Sequence, residues 1–249
     1  MIPTKTQFIG MGIVGTAQAH LLRKVLNCTV NTYDPYKFNH KNNKIQTDID
    51  ITFICTFENN VEEALTTLIQ NKVKGLYVIK SSTLPGTTQA LSKKYNIHIC
   101  HNPEFLREKT AILDALNPDR VIIGECCKKH GQTLQKLYQP LNCPIYRTTS
   151  TESELAKLVA NTYLATLITF WNQIHQLTSK LNIDTKDLAQ LVCADKRISK
   201  YGIEKFGEQY NGKCLPKDVN NLMTTYSKNG LNPHFIAELN YCNTLETTL

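Results

Sequence analysis

The sequence predicts an α/β fold, a doubly wound parallel sheet, followed by an all-helical domain. Three observations support this prediction. Short β-branched runs alternate with amphipathic stretches, a glycine-rich turn follows the first run, and the sequence pattern changes near Thr149. Such alternation is typical of a parallel sheet, because the helix that joins each pair of strands covers a face of the sheet. We therefore expect two domains, residues 1–148 and residues 149–249.

In the first domain, we predict strands at the short apolar runs and helices between them. The predicted strands are Gln7–Gly10, Thr29–Tyr33, Ile49–Cys55, Gly75–Lys80, Ile97–Cys100 and Arg120–Gly124. The predicted helices are Val14–Leu26, Val61–Asn71, Thr88–Tyr95 and Lys128–Tyr138.

The second domain begins with one long predicted helix. From Glu152 to about Lys180 the chain contains no proline or glycine, and apolar residues recur at helical spacing. Ser150 or Thr151 is the expected N-cap. Shorter helices follow, interrupted by a loop from Tyr201 to Pro216.

Composition limits the classes of function. The 249 residues are 41% hydrophobic and 20% charged, an ordinary globular mixture that argues against a collagen-like or disordered chain. No run approaches the roughly 20 apolar residues of a membrane span, and no apolar signal core is visible, so we expect a cytoplasmic protein. Nine cysteines without a CxxC pair favour reduced thiols, and neither disulfides nor a metal site are expected.

The charge pattern favours small anionic ligands. The formal net charge is +7, but the lysines are dispersed and do not form a basic stripe with interleaved aromatic residues. Nucleic acid is therefore not an expected partner. A basic chain of this kind suits either a solvated surface or a site for phosphorylated molecules.

The turn Gly10–Gly15 has the pattern G-x-G-x-x-G between a predicted strand and a predicted helix, a context typical of dinucleotide binding. In this pattern Gly10 permits the tight turn, Gly12 lets the backbone approach a pyrophosphate, and Gly15 allows close packing of helix and strand. The helix N-terminus provides N–H groups for the phosphates. The pattern predicts a Rossmann-type first domain.

A carboxylate at the end of the next strand indicates which dinucleotide binds. Asp34 follows the second predicted strand, where its carboxylate would accept hydrogen bonds from both hydroxyls of the adenosine ribose. Because it would repel a 2′-phosphate, NAD is favoured over NADP. Lys37, three residues later, keeps NADP open as the alternative cofactor.

Cys214 is the candidate nucleophile. Pro216 suits the first turn of a helix, which would place Cys214 at the helix N-terminus. The helix dipole, Lys213 and Lys217 would then lower the pKa of the thiol and favour the thiolate. The alternative is a small buried core residue.

Two further groups could take part in chemistry. Lys157 and Asn161 are spaced i, i+4 and share a helix face, where they could donate hydrogen bonds to an oxyanion or an alcohol. The alternative is a solvated lysine with an unrelated asparagine. The segment 102–108 carries two carboxylates after a predicted strand, although a surface loop is the default interpretation.

Together these residues resemble the UDP-glucose/GDP-mannose dehydrogenase family. The matching segments occur in the order of the family and span nearly the whole chain: Gly10–Gly15, Ser82–Pro85, His101–Gly124, Glu154–Asn161, Asp195–Ile198 and Gly212–Asp218. The resemblance implies that an NAD-dependent enzyme oxidises the C6 alcohol of a nucleotide sugar, with UDP-glucose the expected substrate, to a carboxylate in two hydride transfers.

The resemblance also implies roles for individual residues. Cys214 would form the thiohemiacetal and thioester, and Lys157 and Asn161 would stabilise the oxyanion and position the alcohol. Asp218 with Thr83 would hold the catalytic water, Glu104 would lie at the substrate and hydrolysis site, and Glu108 would lie at the cofactor and water site. The implied cofactor contacts are Gly10, Gly12, Val14, Gly15, Asp34, Lys37, Thr56, Thr83, Glu108 and Lys217. The implied substrate contacts are Glu104, Phe105, Leu106, Arg107, Lys157, Asn161, Arg197, Phe206, Tyr210 and Gly212.

In the family, the long helix forms a homodimer, and the residue that matches Arg197 reaches the substrate of the neighbouring subunit. Family members continue into a third domain that binds the nucleotide, and we expect its loss to affect substrate recognition more than chemistry. The substrate loop also departs from the family at Phe206, Gln209 and Asn211, and the turn after Pro85 is one residue short.

Two other functions remain open. The first is a two-electron NAD-dependent dehydrogenase of the β-hydroxyacid type, which shares the Lys-x-x-x-Asn helix and would leave Cys214 idle. The second is a non-catalytic module for NAD binding or dimerisation.

Overall fold

The computed structural model describes residues 4–37 and 44–245. The chain divides into two compact units, Met1–Lys157 and Leu158–Leu249, and the division falls within a long helix. The domain boundary predicted at residue 148 stays a prediction.

The described part of the first unit is a sheet with helices. Its strands are β1 (Lys5–Ile9), β2 (Thr29–Tyr33), β3 (Ile51–Ile54), β4 (Leu76–Ile79), β5 (Ile99–His101), β6 (Val121–Glu125) and β7 (Ile145–Thr149). Its helices are α1 (Ile13–Lys24), α2 (Val61–Gln70), α3 (Thr87–Tyr95), α4 (Ala111–Leu116), α5 (Lys128–Tyr138) and the start of α6 (Ser150–Lys180). The strand order is β2-β1-β3-β4-β5-β6-β7.

Strand direction changes once across the sheet. Strands β1 to β5 pair in parallel, and β6 and β7 are parallel to each other. The β5–β6 pair is antiparallel and has one register pair, His101 with Gly124. The predicted doubly wound α/β fold is confirmed, with this one antiparallel junction in its otherwise parallel sheet.

Two apolar clusters cover the two faces of the sheet. One contains Phe8 and Phe53, whose rings stack at 4.8 Å, together with Leu22 of α1 and Leu134 of α5. The other contains Ile54 and Ile79 with residues of α2 and α3. Strands β3 and β4 are buried at every position, as expected of central strands covered on both faces.

The sequence pattern missed β7 and α4. Strand β7 pairs only with β6 among the described residues, is half exposed and carries Tyr146, Arg147 and threonines, so it lacks an apolar run. Helix α4 has six residues, which is too short to display a helical repeat.

Helix α6 begins with a reciprocal cap that differs from the predicted one. Glu152 N–H donates to Thr149 Oγ1 at 3.2 Å, and Thr149 N–H donates to Glu152 Oε2 at 3.0 Å. This is a capping box of the form T-x-x-E. The prediction of Ser150 or Thr151 as N-cap is therefore wrong, because only Thr149 has the required spacing from Glu152.

The described part of the second unit is helical, as predicted. The remaining turns of α6 are followed by α7 (Thr185–Val192), α8 (Leu215–Lys228) and α9 (His234–Leu245). Leu158 and Ile168 of α6 pack in a core with Val219 of α8 and Ile236 of α9. Within the residues described, no helix combines the length and apolar character that crossing a membrane requires.

The capping box gives a testable prediction. We expect Thr149→Ala to lower the free energy of unfolding by roughly 0.5–2 kcal/mol, because it removes the acceptor for Glu152 N–H. Thr151→Ala serves as control and should change stability by less than about 0.5 kcal/mol. Urea denaturation measures both, and an equal loss in the two variants would contradict the assignment of the cap.

Candidate functional site

The glycine turn joins β1 to α1. Gly10 has φ +89°, and a Cβ atom there would lie 2.7 Å from the carbonyl oxygen of Cys55. A Cβ at Gly15 would lie 2.0 Å from the carbonyl oxygen of Gly10. At Gly12, the N-cap of α1, a Cβ would meet nothing within 4 Å. The turn is therefore tight at its first and third glycines and open at the second.

Asp34 is held against this turn. Its side chain follows β2 and is buried, and its carboxylate oxygens accept hydrogen bonds from Met11 N–H at 2.7 Å and Tyr36 N–H at 2.9 Å. Each carboxylate oxygen has two acceptor sites, so further acceptor capacity is left for ribose hydroxyls.

A cleft of about 380 Å³ opens beside the turn. It is lined by Gly12, Lys37 and Glu108, three of the residues assigned to the cofactor, and by residues of α1 and α4. Val14 lies in the first turn of α1 but is not among the lining residues. The fold thus brings a backbone turn, an ammonium and a carboxylate from separate segments to one cleft.

Thr56 lies at the same turn. Its Cγ2 atom would be 3.2 Å from a Cβ placed on Gly10, and its backbone oxygen accepts a hydrogen bond from Ser81 Oγ at 2.6 Å. Among the described residues, the buried Oγ1 atom of Thr56 has no hydrogen-bond partner. A bound ligand would satisfy this hydroxyl, which otherwise carries a desolvation cost.

The loop after β5 contacts the start of α6. Lys157 Nζ lies 3.5 Å from Glu104 Oε1 and 5.1 Å from the centre of the Phe105 ring. Glu104 Oε2 accepts a hydrogen bond from Leu106 N–H at 2.6 Å. Lys157 is 4% exposed, which excludes the solvated-lysine alternative, and the Glu104 side chain is only 11% exposed, which excludes a plain surface loop for this residue.

The neighbours of Glu104 face different surroundings. Leu106 packs against the apolar core of the first unit. The Arg107 side chain is mostly exposed and forms an ion pair with Asp114 at 2.6 Å. That pairing holds the pKa of Asp114 well below its usual range.

Glu154 is a buried acceptor whose role the sequence pattern did not indicate. Its carboxylate accepts hydrogen bonds from Thr83 Oγ1, Gly86 N–H, and both Thr88 N–H and Thr88 Oγ1, at 2.6–3.2 Å. Burial raises the pKa of Glu154, and these hydrogen bonds oppose that shift. Thr83 and the loop after β4 are therefore fixed to α6.

A second buried group, Lys80, was also missed. Its Nζ atom donates to the backbone oxygen and to Oδ1 of Asn102, at 3.0 and 2.7 Å, and Tyr138 Oη donates to the same Oδ1 at 2.7 Å. Burial lowers the pKa of Lys80 to about 8. This network ties together the segments that follow β4 and β5.

In the second unit, Cys214 is exposed and is the N-cap of α8, with Pro216 in the first turn. Its backbone oxygen accepts a hydrogen bond from Asp218 N–H at 2.9 Å. The position at a helix N-terminus is as predicted, and the exposure excludes a buried core cysteine. A lowered thiol pKa stays a prediction.

Asp218 lies one turn after Cys214 and is fully buried. Asn161 Nδ2 donates to Asp218 Oδ2 at 2.6 Å, and Lys217 Nζ lies 2.7 Å from Asp218 Oδ1. The second unit therefore brings together Lys217, Asp218 and Asn161, one helical turn from Cys214, and the catalytic roles that the resemblance implies for them stay predictions.

The remaining predicted substrate residues occupy different environments. Tyr210 is 3% exposed, and its hydroxyl donates to Asn240 Oδ1 at 2.9 Å, so its side chain anchors the loop in the core. The Phe206 ring lies 4.7 Å from that of His175. Gly212 has φ +79° and faces open space. Arg197 is exposed and paired with Asp195 at 2.6 Å.

Comparison with known proteins identifies the family. Residues 35–142 match the NAD binding domain of the UDP-glucose/GDP-mannose dehydrogenase family, and residues 151–244 match its central domain. The chain belongs to this family. The first of these matches identifies NAD as the cofactor.

Individual relatives agree with this assignment. A UDP-glucose 6-dehydrogenase from Bacillus subtilis is 35% identical over 66% of this chain and 39% of its own length. A GDP-mannose 6-dehydrogenase from Pseudomonas savastanoi is 36% identical over 62% of this chain and 37% of its own length. The chain thus covers about two fifths of these curated relatives.

Solved structures show the same fold. A UDP-glucose dehydrogenase from Pyrobaculum islandicum superposes with a TM-score of 0.81 at 25% identity, over 98% of this chain and 68% of that one. A 3-hydroxyisobutyrate dehydrogenase from Mycobacterium tuberculosis has the same TM-score at 12% identity, over 98% of this chain and 93% of that one. The second likeness concerns the fold alone.

The residues at the glycine turn fit NAD. Gly12 leaves room for a pyrophosphate, the N-terminus of α1 presents N–H groups, and Asp34 is placed for a ribose. The unpartnered hydroxyl of Thr56 and the cleft beside Lys37 supply further polar contacts.

The two kinds of glycine predict different defects. Gly12→Val should lower NAD⁺ affinity at least about tenfold with little change in melting temperature, because its side chain enters the open space that a pyrophosphate requires. Gly15→Ala should instead destabilise the protein by roughly 1–3 kcal/mol or more, because its Cβ meets backbone. Calorimetric titration and thermal melts separate the two effects. Equal NAD⁺ affinity in wild type and Gly12→Val would contradict the assignment.

Lys80 predicts a pH dependence of stability. Above about pH 8 the folded protein loses the Lys80 proton, whereas the unfolded chain keeps it up to its ordinary pKa of 10.5. Because the unfolded state then binds more protons, the stability of wild type relative to Lys80→Met should rise by up to about 3 kcal/mol between pH 8 and 10.5.

Urea denaturation across this pH range measures the difference between wild type and variant. Lys93→Met replaces an exposed lysine on α3 and is the control, for which we expect a difference that does not change with pH. A flat difference for Lys80→Met would show that burial leaves this ammonium unperturbed.

Proposed function

We propose that this chain catalyses the NAD-dependent, four-electron oxidation of the C6 alcohol of a nucleotide sugar, with UDP-glucose converted to UDP-glucuronate as the first candidate. The observation that carries the proposal is the exposed Cys214 thiol at the N-terminus of α8, one turn before the buried Asp218. A two-electron oxidation has no need for such a thiol, whereas a four-electron oxidation does.

In the first oxidation, the C6 alcohol loses a proton and a hydride and becomes an aldehyde. NAD⁺, when bound at the glycine turn, would supply the hydride acceptor, one molecule for each of the two oxidations. Lys157 is the proposed hydrogen-bond donor to the reacting oxygen. Its ammonium is buried, and a hydrogen bond from it becomes stronger as that oxygen gains negative charge. Asn161, one turn later on α6, is the proposed second donor.

The Cys214 thiolate then forms a C–S bond with the aldehyde carbon, and the alkoxide takes a proton to give a thiohemiacetal. Loss of a hydride and a proton converts this adduct to a thioester. Water adds to the thioester carbon, the C–S bond breaks, and the carboxylate is released with the thiolate regenerated and two protons passed to solvent. Because the aldehyde stays bound to sulfur, it does not leave between the two oxidations.

Asp218 is the proposed group that orients this water. Its carboxylate is buried and is held in place by Asn161 Nδ2 and Lys217 Nζ. Thr83 is its proposed partner. Because the Thr83 hydroxyl donates to Glu154, its oxygen keeps acceptor sites for a water proton.

Product stoichiometry tests the reaction. UDP-glucose, UDP-N-acetyl sugars and GDP-mannose are each incubated with NAD⁺, and we expect the accepted sugar to yield two NADH and one carboxylate. Cys214→Ser should form no carboxylate, because no thioester can form. Cys193→Ser, which replaces a half-buried cysteine of the same unit, is the matched control and should retain two NADH per sugar.

Each other outcome decides against the proposal. One NADH per sugar, unaffected by Cys214→Ser, would indicate a two-electron dehydrogenase. NAD⁺ binding without NADH formation from any of the sugars would indicate a non-catalytic module.

We also propose that α6 forms a homodimer. Val159, Tyr163, Phe170 and Leu177 recur at intervals of four and seven residues on α6 and are each about half exposed, which places apolar side chains along one helix face. An apolar stripe of this length on a long helix is typical of a helix–helix interface.

Sedimentation of the full chain tests the dimer. Phe170→Asp should shift the protein towards monomer, because a carboxylate would be buried in an apolar interface. Phe235→Asp changes another exposed phenylalanine, on α9, and should leave the association state unchanged. A monomeric wild type, or a dimer that tolerates Phe170→Asp, would contradict this proposal.

A further inference from the structure

Four metal-ligating side chains meet in the first unit, away from the glycine turn. They are His98, Cys126, Cys127 and His130, called here the His–Cys cluster, and one ligand atom from each lies within 4.8 Å of all the others. His98 directly precedes β5, the two cysteines directly follow β6, and His130 lies in the first turn of α5. The geometry points to a structural Zn²⁺ site at this cluster.

Three sulfur–nitrogen distances in the cluster are close to those around a tetrahedral ion. Cys126 Sγ lies 3.7 Å from His98 Nδ1 and 3.3 Å from His130 Nδ1, and Cys127 Sγ lies 3.4 Å from the same nitrogen of His130. A tetrahedral zinc with ordinary bond lengths separates its sulfur and nitrogen ligands by roughly 3.5 Å. The side chains therefore already stand near the positions that coordination requires.

The ligand chemistry selects the metal class. Two thiolates balance the charge of a divalent cation, and two imidazoles complete a set of sulfur and nitrogen ligands. This combination in tetrahedral arrangement is typical of zinc. Four protein ligands leave no open position for water, which indicates a structural rather than a catalytic ion. His98 is exposed, so a path for entry of the ion exists.

The position in the sheet explains what such an ion would do. Strands β5 and β6 pair antiparallel through a single register pair, so the amino end of β5 and the carboxyl end of β6 meet at one edge. That edge is opposite to the one from which the glycine turn projects, since β1 and β5 belong to the parallel part of the sheet. The ion would join β5 to β6 and α5 where the hydrogen-bond ladder is shortest.

The expectation of no metal rested on the absence of a CxxC pair. Cys126 and Cys127 are adjacent, and His98 comes from 28 residues earlier than Cys126, so no local spacing rule finds the cluster. Only the antiparallel pairing of β5 with β6 brings these residues together. Cys100 is a further neighbour, with its sulfur 3.6 Å from that of Cys126.

The test uses the full chain, reduced, treated with a chelator and then dialysed free of it. We expect one equivalent of Zn²⁺ to bind by elemental analysis, and Co²⁺ to give intense visible bands of a tetrahedral site with thiolate-to-cobalt charge transfer. Zn²⁺ at about a hundred times its Kd should raise the melting temperature by roughly 5–10 °C.

Variants locate the ion. His98→Gln removes an exposed ligand and Cys127→Ser removes a thiolate. Each should weaken Zn²⁺ binding at least about a hundredfold, since loss of an outer-shell partner alone costs 10–100-fold. Cys127→Ser should also reduce the charge-transfer band. Cys193→Ser and Cys214→Ser lie outside the cluster and should each retain one equivalent of zinc.

Several results would overturn the proposal. One is a protein that binds less than one equivalent of zinc, and another is an octahedral cobalt spectrum. The others are an unchanged Zn²⁺ affinity in His98→Gln and a Cys100–Cys126 disulfide that persists under reducing dialysis. Because His98 is exposed, its replacement leaves the fold intact and the test remains decisive even if Cys127→Ser does not fold. NADH formation is not a readout here, so failure of the zinc site and failure of the proposed oxidation are distinguishable.

Discussion

One constraint organises the first unit: parallel strands end at the same edge of a sheet. The glycine turn follows β1, the segment with Thr83 follows β4, and the segment with Glu104 follows β5. Groups that are far apart in the chain therefore project from one edge, where α/β proteins bind their ligands. Because β6 and β7 run in the opposite direction, the segments that precede these two strands, rather than those that follow them, lie at that edge.

Buried polar groups hold these segments in position. Lys80 joins the segments after β4 and β5 through Asn102, and Glu154 accepts four hydrogen bonds from the loop after β4 and the first turn of α3. Burying an ammonium and a carboxylate is costly unless their hydrogen bonds are made. Because the desolvation cost offsets much of their favourable energy, these contacts fix the positions of the loops more than they raise the free energy of unfolding.

Features set by local backbone chemistry were predictable from the sequence. The strand–turn–helix at Gly10 and the helix that starts after Cys214 depend on glycine and proline at fixed positions, and both stand where the pattern placed them. The cap at Thr149 was missed although its T-x-x-E spacing is visible. The roles of Lys80 and Glu154 could not be predicted, because their partners lie 22 and 66–71 residues away.

The hydrogen bonds of Glu154 bear on where the dinucleotide-binding half could be excised as an independent fragment. A fragment truncated at residue 148 would lack this carboxylate, leaving Gly86 N–H and Thr88 N–H to be satisfied by solvent. A fragment extended to residue 157 would keep the acceptor and the first two turns of α6. A fragment that keeps these hydrogen bonds must therefore extend past the last strand as far as Glu154.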